Sequence, residues 1–287
     1  MPLLATTTFH QVLDSKRRTA LVVPREHGAW GILLIPLICG ATVGLIRGGE
    51  PNYLLPFTAA ALAIFWLRTP VESWLGNSPM KAHGEAELHL VRNAVVRLCV
   101  VSLAALSVLF WNGRNLTLTW FGLAAGVAFL VQAILKKSRS SRVAGELIGA
   151  AGLTSTGPSA YFLATRGIDS VAWVLWASAF LFAANQIHYV QTRIRAAKQT
   201  ERQQSLVAGR EFFATQVALL AILGIACLWK PRLMFVAAAF VPMLFRGFAW
   251  LLRKPGPLKI HALGWSEMRQ AVAFGILLIA GVVLAFR

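Results

Sequence analysis

The sequence predicts an all-α integral membrane protein, a single bundle of about nine transmembrane helices with the amino terminus inside and the carboxyl terminus outside. Three observations predict it: nine long apolar segments joined by short connections, a composition of 57% hydrophobic and 14% charged residues, and a strong bias of basic residues to alternate connections. A spanning helix needs about 20 mostly apolar residues, because hydrocarbon tolerates only a backbone that satisfies its own hydrogen bonds.

Taken in order, the segments are 28–46, 53–75, 91–111, 116–135, 143–163, 171–190, 212–229, 233–252 and 270–286. Their order fixes the orientation through the positive-inside rule. The amino-terminal arm and every second connection (68–97, 136–142, 193–210 and 246–269) hold 22 of the 28 basic residues, and these connections are assigned to the cytoplasm. The longest polar stretches, 69–90 and 193–211, are too short for a soluble domain. The organisation expected is a cytoplasmic arm over 1–27 and one membrane domain over 28–287, in the inner membrane.

The net charge of +17 does not imply a nucleic-acid partner, since the basic residues are scattered beside span ends rather than massed on one module. Anionic lipid headgroups are the expected partners. Residues 1–20 contain no long apolar run, so the first helix is expected to act as an uncleaved insertion signal. Cys39, Cys99 and Cys227 fall inside predicted spans without metal-ligand spacing, and neither a disulfide nor a bound metal is expected.

Chemistry-bearing residues collect at span ends on the predicted cytoplasmic side. The first helix is entered through Pro24-Arg25-Glu26-His27-Gly28-Ala29-Trp30, which reads either as an interfacial anchor or as the mouth of a polar cavity. The second ends with Arg68 and Glu72, four residues apart and able to pair if the helix persists through Pro70. A loop with Lys81 and His83 follows, and its spacing fits no metal site. The sixth span ends in the most polar stretch of all. Helical spacing places Asn185, His188, Thr192 and Arg195 on one face and Gln186, Tyr189 and Arg193 on an adjoining one. Such a stripe turns from lipid, to form a site or simply to hydrogen-bond between helices. Glu146 is expected to pair near the surface, and Gly157 with Pro158 is the one hint of a broken span.

The string Pro-Arg-Glu-His-Gly-Ala-Trp at 24–30, with His-Tyr-Val-Gln-Thr-Arg-Ile-Arg at 188–195, resembles the YwiC-like family of bacterial membrane proteins, whose activity is not established. More distantly, the layout is similar to the UbiA superfamily of intramembrane prenyltransferases. That resemblance implies nine helices and an active site formed from the loops after helices two and six. UbiA-type enzymes hold Mg²⁺ on two Asp-rich motifs, a hard cation on oxygen ligands. This chain has only Asp14 and Asp169, neither in those loops. Magnesium-dependent prenyl transfer is therefore not expected.

With basic residues where the carboxylates would be, guanidinium groups could bind an anion directly. The expected ligand is an amphiphile with an acidic or quinone-like head and an isoprenoid or acyl tail. Arg25, Arg68, Glu72, Lys81, His83, Asn185, Tyr189, Thr192, Arg193 and Arg195 would bind it, with Glu26, His27 and His188 as proton-transfer candidates. No cofactor is expected. The alternatives are a small-anion or proton-coupled transporter and, on His27 and His188 as axial ligands, a haem-binding electron-transfer protein.

Overall fold

The computed structural model describes residues 17–24, 27–76, 81–111, 116–135, 141–197, 202–252 and 260–287. Among these the regular structure is entirely helical. The helices are α1 (His27–Ile46), α2 (Leu54–Trp74), α3 (Glu85–Phe110), α4 (Leu116–Leu135), α5 (Arg142–Thr154), α6 (Thr156–Thr165), α7 (Ser170–Ala197) and α8 (Arg202–Trp229). They are followed by α9 (Pro231–Leu252), which contains two 3₁₀ turns, and α10 (Ile260–Ala285). Eight of them are long and apolar enough to span a membrane. Their outer faces carry large apolar side chains in the open, among them Leu55, Trp111, Trp120, Leu228 and Leu252, as a lipid-facing surface requires.

The fifth expected span is the one that departs. It is two short helices, α5 and α6, meeting at Ser155. Pro158 has no N–H to offer the Thr154 carbonyl four residues back, and the Ser155 N–H turns instead to the Gly152 carbonyl at 3.3 Å. Pro242 acts similarly in α9, where the turn Ala238–Phe240 tightens to 3₁₀ just before it. Pro70 does not break α2, which runs on to Trp74.

Several helices extend past their apolar runs into stretches expected to be connections. The first turn of α3 takes in Glu85 and Glu87, whose negative charge suits a helix amino terminus. The polar stripe of 185–195 stays helical within α7. Helix α10 begins at Ile260, so Glu267 and Arg269 lie on a helix and not in a loop.

The chain forms two compact units. One comprises the amino-terminal segment with α2 and α3, which pack side by side. There the Trp66 Nε1–H donates to the Val22 carbonyl at 2.8 Å and the Ser73 hydroxyl to the Leu21 carbonyl at 3.1 Å, fixing residues 17–24 to α2. The other comprises α1 and all of α4 to α10. Its core joins Cys39 and Val43 of α1, Tyr161 of α6, Val171, Leu175 and Phe182 of α7, Phe240 and Met243 of α9, and Phe274 and Leu278 of α10. Phe182 stacks on Phe274 with ring centroids 4.1 Å apart. Helix α1 comes so close to α6 that a Cβ at Gly40 would collide with the Gly157 carbonyl.

Candidate functional site

The second unit gathers its polar side chains where α7 and α9 end and α8 and α10 begin. Tyr189, near the end of α7, is buried among aromatic rings: its ring centre is 5.6 Å from Phe212 of α8 and 6.0 Å from Trp250 of α9. Two guanidinium groups flank it. Arg246 of α9 lies 4.2 Å from the Tyr189 ring centre. Arg193, one turn further along α7, donates to the Tyr189 hydroxyl at 3.2 Å and lies 5.9 Å from the centres of both Tyr189 and Trp250. Cations over aromatic faces are attracted by the ring quadrupole, most strongly where water is excluded.

The two arginines are otherwise in different electrical states. Arg246 donates from both terminal nitrogens to Glu267 of α10, at 2.6 and 3.2 Å, and Nη2 also donates to the Gln186 amide oxygen at 2.5 Å. The side chains of this pair are only 17% and 11% exposed, so it is a buried, bidentate ion pair inside the bundle. Arg193 has no carboxylate within ion-pair distance among the described residues.

The remaining candidates on α7 sort by burial. Asn185, Gln186, Tyr189 and Thr192 are buried. Their common face straddles the two stripes read from spacing, because the inward direction passes between them, near Tyr189. His188 lies beside it, its Nδ1 3.1 Å from the Thr215 hydroxyl and its ring edge-on to Phe212. Thr192 donates to the His188 carbonyl at 2.8 Å. Arg195 is exposed and reaches Glu211 of α8 at 3.2 Å. Glu146 of α5 accepts from the Gln191 amide.

The candidates of the first unit do not form one cluster. Arg68 pairs with Glu72 at 2.8 Å along α2. Arg17 pairs with Glu87 at 2.6 Å, and Glu87 also accepts the His83 backbone N–H at 2.7 Å. The Lys81 carbonyl accepts a long bond from Arg17, and the Lys81 and His83 side chains are exposed. Arg25, Glu26 and the side chain of His27 lie outside the described residues.

Helical spacing along α7 does not reveal Arg246, Glu267, Trp250, Gln216 and Gln270, and it assigns Gln186 no role. One signal was available. Arg246 sits well inside the apolar run 233–252, and an intramembrane arginine demands a partner, although by position it also opens the basic connection 246–269.

The fold and this arrangement define a multi-pass α-helical membrane protein whose larger unit carries a buried, cation-rich polar cluster at one end of its helices. In sequence, residues 23–161 match the model of a family described as YwiC-like protein, and over that stretch the chain is similar to it. The matched stretch includes the string at 24–30 and stops short of 188–195. The uncharacterized protein YwiC of Bacillus subtilis (strain 168) is 22% identical over 178 residues, which cover 62% of this chain and 69% of that protein. No solved structure matches the chain.

Proposed function

We propose that the chain is an inner-membrane protein, amino terminus inside, that binds the acidic or quinone-like head of an isoprenoid or acyl amphiphile at the Arg193 end of α7 without Asp-bound magnesium. The observation that carries this reading is the state of Arg193. It is held in place by the Tyr189 hydroxyl and two aromatic faces, but none of the acidic residues pairs with it among those described. Arg17, Arg47, Arg68, Arg195 and Arg246 each have a carboxylate partner. A guanidinium pre-positioned by aromatic faces presents its remaining N–H groups to an anion or a carbonyl oxygen without a further ordering cost. The flat rings beside it suit a planar or lipid-like body.

Native mass spectrometry of the protein extracted gently from its own membranes tests this. An amphiphile should be retained by the wild type and lost, at least tenfold, in Arg193→Ala, with Arg193→Lys intermediate because a point charge replaces a fork. Equal retention in all three, with their thermal unfolding unchanged, would count decisively against Arg193 as the anchor.

A further inference from the structure

Around Arg246 the larger unit buries more hydrogen-bonding capacity than its own side chains satisfy. Among the described residues five buried side-chain atoms have no protein partner: Gln186 Nε2, both amide atoms of Gln216, Arg246 Nε and Gln270 Oε1. Gln216 is 0% exposed and Gln186 7%. These side chains come from four different helices; those of Gln186 and Gln216 meet Arg246 and Gly247 on one turn of α9, and Gln270 lies on the helix that carries Glu267. Gln186 of α7 is bonded to Arg246 itself. Gln216 of α8 abuts the next residue, Gly247, where a Cβ would sit 3.0 Å from Gln216 Oε1. Gln270 of α10 lies one helical turn beyond Glu267, the partner of Arg246.

Leaving so many buried donors and acceptors unpaired is costly, and natural proteins answer such clusters with enclosed water. The chemistry of the set selects that ligand. Three of the atoms are donors and two are acceptors, so an anion would leave the Gln216 and Gln270 oxygens unmatched and a metal ion would face the donors. A small neutral molecule that both donates and accepts suits this mixed set, and two waters sharing it match all five atoms. We infer that Gln186, Gln216, Arg246 and Gln270 enclose an internal water site next to the Arg246–Glu267 pair.

The site goes beyond the amphiphile reading and stands without it. Water beside the pair solvates both charges, so the pair can open and re-form inside the membrane without either charge being stranded in hydrocarbon. It also gives the buried Glu267 carboxylate a route for proton exchange.

Hydroxyl-radical footprinting of the full-length protein in nanodiscs tests the inference, because radicals generated from enclosed water oxidise the side chains that touch it. Phe212 is 0% exposed and packs against the same glycine as Gln216. It should be oxidised in the wild type and at least fivefold less in Gln216→Leu. An unlabelled Phe212 in the wild type, or equal labelling in the variant, would overturn the site. Thermal unfolding gives a second reading. In a dry bundle, Gln216→Leu removes two unpaired atoms and raises Tm by several degrees; beside water it leaves Tm unchanged or lower. Gln270→Leu repeats both measurements should the first variant fail to fold.

Discussion

The two ends of α7 both carry charge, and they use it differently. At its start, Asp169 is fully committed. One carboxylate oxygen accepts the Val171 and Ala172 N–H groups at 2.9 and 3.3 Å, and the other accepts the Tyr161 hydroxyl at 3.0 Å with Arg47 3.8 Å away. This is a helix cap extended into a small network. At its end, Arg246 and Glu267 are paired but side-chain amide atoms around them are not, and Arg193 lies against aromatic faces with no ion-paired carboxylate among the described residues. A polar cluster that satisfies itself is structure. One that keeps spare donors and acceptors in a buried place is equipped for a ligand.

The sharpest way to break the comparison is to strand a charge at the end of α7. Glu267→Ala leaves Arg246 buried without its carboxylate and should cost about 3–5 kcal/mol in a reversible denaturation series, while Arg246→Met combined with Glu267→Leu should lie close to the wild type or above it. Were the double variant as unstable as the single one, the pair would be valued for packing and not for charge.

The opposite end is held by close backbone approach as much as by its cap. The Glu50 N–H donates to the Ala164 carbonyl at 3.0 Å, and α1 meets α6 at Gly40 and Gly44, where even a methyl group would strike a neighbour. Gly40→Ala should therefore destabilise by about 1–3 kcal/mol. Gly126 of α4 has open space around it, and the same substitution there should be neutral or mildly stabilising, since alanine is the better helix former. Thermal unfolding of the two variants side by side makes the check.

How much of this was legible in the sequence follows from what spacing can and cannot see. Apolar length located the spans well, since hydropathy reports the lipid contact that dominates the folding of such a chain; the break in the fifth span was signalled by Gly157 and Pro158. Ends were read too short. Polar residues such as Glu85, Gln191 and Glu267 continue their helices where the backbone has no reason to stop, and the hydrophobic run alone marks only the part in hydrocarbon. On the candidate site, periodicity found the polar stripe of α7 because its members share one helix. It could not pair Gln186 with Arg246, 60 residues away, or Arg246 with Glu267 across a turn of chain. Those contacts are set by tertiary packing, and the sequence offers only the oddity of an arginine in an apolar run.

A smaller effect separates the cap from the site on the same helix. Asp169→Ala removes two accepted N–H bonds from the first turn of α7 and should cost about 0.5–2 kcal/mol, with Asp169→Asn recovering most of it, because an amide oxygen also caps. Ligand retention should not change in either variant, and a loss of retention would mean that the two ends of α7 communicate.

The smallest expected effect lies two residues from Arg193. Arg195 pairs with Glu211 on an exposed surface, with side chains 47% and 70% accessible, and holds the Gln191 amide oxygen at a marginal 3.5 Å. Two long side chains gain little by meeting in water, since Coulomb attraction there is weak and the ordering of both offsets it. Arg195→Ala should change unfolding free energy by less than about 1 kcal/mol, and less still at high salt, as double-variant cycles with Glu211→Ala would show. A coupling well above that would place Arg195 in the buried network after all, and the division drawn here between solvated charges and enclosed ones would have to move outward by one turn of α7.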